Sequence, residues 1–428
     1  MNQRSDRRDF LKTSSLAGFG MLLSGSSLVH AGRAPSEKLN IGCVGTQNRA
    51  SANIGGVRSQ NIVAICDTDQ NYLDRRHRDF PKANKYNDYR KLVDQKDIDA
   101  IVVSTPDHMH APATGAALRS GRHAYCEKPL AHTVHEARVI AGLAKKHKRA
   151  TQLGTQIHAG GNYRRVVEII QSGAIGDVIE SHVWVGKSWS AGDRPAPAPT
   201  PAHIHFDLWL GPARERKYHP NLLPANWRRW WEFGGGTLGD MGCHHMDLSH
   251  WALKLRHPVA VSTKGPPVHA EGCPSGLHVT LEYPARGKLP PVKLHWYDSG
   301  KHRHLFKKHN LPKWGDGTLF VGTKGVMLAS YGGYKLLPEA DFKGYRPPEK
   351  SIPDSIGHYN EWIQACKTGS PTTCNFDYSG ALTESVLLGN VAYRTGKRLE
   401  WDGEKCEVTN SKAANSLVRK EYRKGWEV

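Results

Sequence analysis

The chain has 428 residues, a formal charge of +19, and 38% hydrophobic against 23% charged side chains. That length outgrows one small core and predicts two folded domains in a soluble globular protein, and no internal apolar run reaches the length of a membrane-spanning helix. The charge invites a nucleic-acid partner, but the basic residues are scattered and no zinc-finger, helix-turn-helix or aromatic RNA-binding motif accompanies them. A basic surface that attracts anionic polysaccharide or an acidic substrate is the simpler reading, and no nucleic acid is expected.

In chain order, the N-terminus reads Arg7-Arg8-Asp9-Phe10-Leu11-Lys12, then a weakly apolar stretch from Leu16 to Val29 and a small-residue cleavage site at Val29-His30-Ala31. Twin arginines before so short an apolar core resemble a bacterial Tat signal. Residues 1–31 are therefore expected to be removed and the mature protein exported, to the periplasm or beyond. A basic tail before a short helix is the alternative. Export does not bring a disulfide framework, because the eight cysteines lack CxxC pairs and even spacing. Cys43, Cys66 and Cys126 fall in apolar, strand-like runs, where a thiol behaves as a small buried hydrophobe.

Residues 38–155 alternate short apolar runs with amphipathic stretches. Leu39–Val44, Asn61–Cys66, Ala100–Ser104 and His123–Cys126 read as buried parallel strands, with helical periodicity at Asn71–Phe80, His110–Ser120 and Val134–Lys146. This alternation predicts an α/β Rossmann domain, a doubly wound parallel sheet with right-handed crossovers. The first strand runs into Gly42-Cys43-Val44-Gly45-Thr46-Gln47-Asn48-Arg49-Ala50. A dinucleotide fingerprint asks for GxGxxG here, so that backbone amides and a helix N-terminus meet the pyrophosphate. Only Gly45 is in register; Gln47 and Ala50 take the later glycine places. Asp67 closes the second strand, where a carboxylate chelates the adenosine ribose hydroxyls and repels a 2′-phosphate. NAD is thus favoured over NADP. A strand-end turn is the plain alternative for Asp67, and Arg49 is placed to grip pyrophosphate or a 2′-phosphate.

Residues 156–402 form the second, substrate and oligomerisation domain. Gly186–Ala202 is a Pro-rich loop expected to overhang the site. Val261–Lys264, Leu277–Tyr283, Val292–Tyr297 and Thr318–Val321 read as strands, Val326–Leu337 as a hairpin broken at Gly332-Gly333, and Ile356–Lys367 and Ser379–Thr395 as amphipathic helices. Residues 403–428 read as a charged tail. Asp240 and His244 stand four apart and share a face if helical. They are either a catalytic pair or a capped helix start with a packed histidine. His244, His245, Asp247 and His250 also permit a metal, but neighbouring helical side chains point apart and no metal is expected.

Three segments carry a more specific resemblance: Ser104-Thr105-Pro106-Asp107-His108-Met109-His110 after the fourth strand, Glu127-Lys128-Pro129 after the fifth, and the run from Gly234 through Asp240 and His244 to Asp247. Together they resemble the Gfo/Idh/MocA oxidoreductases from about Leu39 to about Asp402. The resemblance implies an α+β second domain with a large, open, mostly antiparallel sheet, through which a homo-oligomer (dimer or tetramer) forms. It further implies hydride transfer between NAD(P) and a secondary alcohol of a sugar, cyclitol or glycoside. On that reading Lys128 hydrogen-bonds the reacting oxygen, His244 is the general base and Asp240 orients it or holds a neighbouring hydroxyl. Gly45, Thr46, Gln47, Asn48, Arg49, Asp67, Thr105, Pro106, His108, His110, Glu127, Lys128 and Gln156 touch the cofactor, with structural packing the alternative for His108 and His110. Gln156, Trp227 and Arg228 join Lys128, Asp240 and His244 against the substrate, although most of the neighbouring tryptophans belong to the core. Free nicotinamide cofactor is scarce outside the cytoplasm, so tight retention of NAD is expected. A redox-neutral, NAD-dependent glycoside-cleaving enzyme and a non-catalytic sugar- or dinucleotide-binding protein of the same fold are the alternatives.

Overall fold

The computed structural model describes residues 37–428, so the twin-arginine segment and its cleavage site lie outside the described residues. The first sheet contains β1 (Asn40–Val44), β2 (Asn61–Cys66), β3 (Asn84–Tyr86), β4 (Ala100–Val103), β5 (His123–Cys126) and β6 (Thr151–Leu153). They are hydrogen-bonded in the order β3-β2-β1-β4-β5-β6, and every pair is parallel. The central strands are apolar on both faces, with Ile41, Cys43, Ile101, Val103 and Tyr125 buried, because helices cover the sheet front and back. Local chemistry starts those helices. Asp69 caps Gln70–Asp79 through the amides of Asn71 and Tyr72, and Thr133 with Glu136 forms a capping box for Val134–His147. The polar edge strand β3 and the short helix Tyr89–Asp94 escape a periodicity search, since neither offers an apolar run of its own length.

The second sheet takes β7 (Val178–Trp184), β8 (Ala260–Lys264), β9 (His278–Tyr283), β10 (Val292–Tyr297), β11 (Gly317–Gly322), β12 (Val326–Ala329), β13 (Tyr334–Leu337), β14 (Leu399–Asp402) and β15 (Glu407–Val408). Their order is β13-β12-β11-β7-β10-β9-β8-β14-β15. Only β7 and β10 pair in parallel; the other pairings are antiparallel. The side chains of this sheet sort by strand parity. Val183, Val279, Leu281, Leu294, Trp296 and Phe320 face the main core, which also holds the helix Gly236–Ala252 and the long helix Phe376–Thr395. The opposite face carries Glu180, His182, Trp184, His278, His295 and Tyr297. There Leu305 of the short helix Arg303–Lys308 and the following Leu311 pack with Trp184, Tyr297, Leu319 and Leu328 in a small separate cluster.

The two halves are fastened by the Phe376–Thr395 helix. A Cβ on its Gly380 would stand 3.2 Å from the Cβ of Ala141 in the Val134–His147 helix, so the two backbones lie close. Residues after Asp402 hold more structure than their charge suggests. Trp426 is buried, lies 6.1 Å from Tyr89 and receives Arg90 at 4.2 Å, returning the chain end to the first sheet.

Candidate active site

The C-terminal ends of the six parallel strands share one edge, and strand order reverses between β1 and β4, the position where doubly wound sheets bind ligands. A cavity of about 930 Å³ opens there, walled on its far side by the Gly236–Ala252 helix and by the loops from Lys187 to Arg228. The Pro-rich loop does reach this cavity, through Lys187 and Pro201.

The turn after β1 forms one end. Gly45 has φ +89°, and a Cβ on it would stand 2.4 Å from the carbonyl oxygen of Ser104, so only glycine lets this turn press against β4. Thr46, Gln47, Asn48 and Arg49 continue the cavity wall. The helix Arg49–Val57 then begins without a side-chain cap; the Ala50 and Ser51 amides turn back to the carbonyls of Gln47 and Asn48 at 3.1 Å, and the positive end of the helix faces the cavity, as a pyrophosphate requires. Asp67 also lines the cavity. Its Oδ2 accepts from the Thr46 amide at 2.9 Å and the Thr46 hydroxyl at 2.8 Å, and its Oδ1 accepts from the Asp69 amide at 3.0 Å. Burial raises this carboxyl's pKa while the Asp69 and Thr46 hydrogen bonds oppose the rise. Arg49 does not turn toward Asp67. Its Nε lies 3.1 Å from Glu127 Oε1 and its terminal nitrogen 3.0 Å from the Tyr359 hydroxyl, which gives no support to a 2′-phosphate grip.

Glu127 is a hub rather than a free acceptor. Its Oε1 also accepts from Asn53 Nδ2 at 3.0 Å and from Gln156 Nε2 at 2.8 Å. Gln156, at the start of a 3₁₀ turn beyond β6, donates to the Tyr125 hydroxyl at 2.9 Å as well. Thr105, Pro106, Glu127 and Gln156 all line the cavity, and Thr105 Oγ1 is buried without a partner among the described residues.

Lys128 and Asp240 meet in the middle. Lys128 Nζ donates to Asp240 Oδ1 at 2.7 Å and to the Asp240 carbonyl at 2.6 Å. An ammonium carries three protons, so one remains for the cavity. Asp240 additionally accepts from Arg228 Nε at 3.0 Å and from Trp189 Nε1 at 2.7 Å, and Lys187 Nζ stands 3.5 Å away. Burial would raise the Asp240 carboxyl, yet the adjacent Lys128 and Arg228 charges hold it well below the ordinary carboxylate range. His244 lies one turn further along the same helix and lines the same cavity. Burial, reinforced by Lys128, holds its pKa well below the ordinary imidazole value, so the ring is neutral at pH 7. Asp240 is thus committed to Lys128, Arg228 and Trp189, and the expectation that it orients His244 is replaced by this ionic and hydrogen-bonded cluster. Trp227 and Arg228 line the cavity as expected, the guanidinium lying 4.2 Å over the indole, while Trp230 and Phe233 join the surrounding core.

Two expected cofactor contacts are corrected. His108 and His110 are buried and lie outside the cavity wall. His108 Nε2 meets the Trp209 carbonyl at 2.9 Å, its ring packs on Trp209 and Phe233, and burial pushes its pKa down to about 3. His110 sits between the carbonyls of Pro129 and Thr105 at 2.6 and 2.9 Å. Both rings stitch loops together, the ordinary use of an enclosed imidazole near backbone carbonyls. Nor do the remaining histidines near His244 gather. His245 pairs with Tyr331, Asp247 with His158, and His250 with Tyr283.

The position just before His108 holds the residue that sequence reasoning missed. Asp107 is 4% exposed, lines the cavity, and is pushed up to about 7 by burial, against the pull of Arg228 and Lys128. Lys187, Tyr331 and Trp426 are further cavity residues that no motif announced, because each comes from a loop or a distant strand end.

Two family models match consecutively: the oxidoreductase family's NAD-binding Rossmann fold over residues 39–155, and its C-terminal alpha/beta domain over residues 164–289. A glycosyl hydrolase family 109 protein of Shewanella pealeana is 28% identical over 202 residues, 41% of this chain and 44% of that protein. An inositol 2-dehydrogenase of Salmonella paratyphi B is 32% identical over 164 residues, 37% of this chain and 46% of that protein. The matches therefore span less than half the length of these relatives. Among solved structures, the WlbA dehydrogenase of Bordetella pertussis in complex with NADH and UDP-GlcNAcA superimposes with a TM-score of 0.61 at 17% identity, covering 86% of this chain and 98% of that one. With the Rossmann and the C-terminal family models matched in succession, and the sheets arranged as described, the chain belongs to the Gfo/Idh/MocA oxidoreductase family.

Proposed function

We propose that this chain is an NAD-dependent oxidoreductase that acts on a secondary alcohol of a sugar, cyclitol or glycoside. The observation that carries the reading is the sharing of one cavity by the Gly45 turn, the Asp67 carboxylate, the Lys128 ammonium and the neutral His244 imidazole. The fit to a dinucleotide rests on a turn that admits no Cβ, an uncapped helix start and a carboxylate at the second strand end. When bound, the nicotinamide supplies the two-electron acceptor.

The chain's own groups handle position and protons. Asp240 fixes the Lys128 ammonium with two hydrogen bonds, and the proton left over is directed at the alcohol oxygen, where it stabilises developing negative charge. His244, neutral and one helical turn away, receives the hydroxyl proton. Arg228 and Trp227 supply the donor and the flat apolar surface that a polyhydroxylated ring requires. NAD is preferred over NADP because the Asp67 carboxylate opposes a 2′-phosphate, and tight retention of the cofactor follows from export. Export itself by the twin-arginine route, and assembly of copies through the second sheet, belong to the same proposal. Fractionation with Arg7→Lys and Arg8→Lys changes and light scattering test these two.

The functional test is incubation with NAD and a panel of sugars, cyclitols and glycosides, reading NADH absorbance. Substrate-dependent accumulation of NADH supports the proposal. Glycoside release with no net NADH identifies a redox-neutral cycle instead, and NAD binding without either signal identifies a non-catalytic binder.

A further inference from the structure

The outward face of the second sheet carries chemistry unrelated to the cavity. β7 and β10 run parallel with His182 opposite His295 and Glu180 opposite Lys293. Residues two apart on a strand share a face, so Glu180, His182 and His295 converge. Glu180 Oε2 lies 3.1 Å from His182 Nε2, and one ligand atom from each of the three residues lies within 4.8 Å of the others. We propose that Glu180, His182 and His295 form a binding site for a divalent transition-metal ion of the zinc class, separate from the oxidoreductase centre.

The donor set is the first argument. Two imidazoles and one carboxylate suit such an ion and leave coordination positions open. Bonds of about 2.0–2.2 Å set tetrahedral ligand atoms roughly 3.3 Å apart. The Glu180 and His182 atoms already have about that spacing, and His295 closes the remainder by side-chain rotation. Orientation is the second argument. Metal-bound imidazoles are held through their other nitrogen. His182 Nδ1 meets the Tyr297 hydroxyl at 3.1 Å, which leaves Nε2, the nitrogen beside Glu180, to coordinate. The His295 ring stacks on His182 at 4.7 Å, and its Nδ1 meets Thr280 Oγ1 at 3.0 Å. Lys293 and Lys308 stand near enough to act on His295 and Glu180, so the Glu180 charge is required for a cation to stay.

The test uses the full chain stripped with a chelator and titrated with zinc chloride alone, read by calorimetry and by metal analysis after dialysis. One zinc per chain is expected at micromolar concentrations. Glu180→Gln and His295→Gln should each weaken it at least about tenfold, with far-UV circular dichroism unchanged. Glu180 is partly exposed, so its variant remains informative where replacement of the buried His182 costs folding. Absence of saturable binding, or zinc binding by both variants as tight as that of the unmodified chain, overturns the site.

Discussion

Lys128 Nζ, at the end of the fifth strand of one sheet, lies 2.7 Å from Asp240 Oδ1 on a helix that packs against the other. Both side chains are nearly sealed from solvent, at 9% and 6% exposure. A buried pair of this kind repays its desolvation only when the remaining lone pairs are satisfied, and Arg228 and Trp189 satisfy them. The cluster fixes the amine between the two halves and leaves one of its protons for a ligand.

Removing that amine should therefore cost chemistry before it costs cofactor binding. Lys128→Met is expected to lower kcat by roughly 10²–10⁴, measured as substrate-dependent NADH formation, while the dissociation constant for NAD changes little. A variant that turns over at the original rate contradicts the role given to Lys128.

His244 sets the acid side of the pH profile. Its pKa lies below the ordinary 6.5, so the neutral, proton-accepting ring persists to lower pH than an exposed histidine allows. The acid limb of kcat/KM for oxidation should fall below pH 6.5, and His244→Gln should lose that limb along with roughly 10²–10⁴ in rate. A profile unchanged in shape by the substitution speaks against a proton-accepting role.

The proposed function assigns cofactor choice to Asp67. Asp67→Asn keeps the shape but removes the charge, and a charged hydrogen bond contributes about 1.5–3 kcal/mol, so NAD should bind roughly ten- to a hundredfold more weakly. NADP should lose less, which narrows the preference. Equal loss for both dinucleotides rules out ribose recognition by this carboxylate.

Asp107 makes stability depend on pH. Its folded pKa of about 7 stands above the ordinary 3.8, so its contribution is fully present below pH 3.8 and is lost as pH rises through 7. Asp107→Asn, which stays uncharged, should gain thermal stability relative to the unmodified chain on going from pH 5 to pH 8. A Tm difference that does not change with pH over that window contradicts the buried environment described for this carboxyl.

The legible parts of the molecule were those whose local physics is self-contained. The apolar runs of β1, β2, β4 and β5 announced buried parallel strands, Gly45 and Asp67 marked the dinucleotide end, and the Lys128, Asp240 and His244 motifs pointed to positions that fold into one cavity. What stayed hidden depends on tertiary partners. β7 mixes Glu180 and His182 among apolar residues, so its alternation is visible only when the two faces of the sheet are known. His108 and His110 carry the chemistry of a site but spend it on backbone carbonyls, whereas Asp107 between β4 and those rings reaches the cavity. A one-residue rotation on a helix start separates the two outcomes, and sequence spacing does not resolve it. Trp426 reaches the cavity wall from the chain end, a contact that no local pattern encodes.

Convergence of Lys128 and His244 on one reacting centre is tested most directly by a double-mutant cycle in kcat/KM, using Lys128→Met, His244→Gln and both together on the best substrate from the panel. Groups that act on the same alcohol oxygen are strongly non-additive, so the double variant should be little slower than the slower single variant. Losses that simply multiply, or a single variant that retains full activity, would show that the two side chains serve separate places.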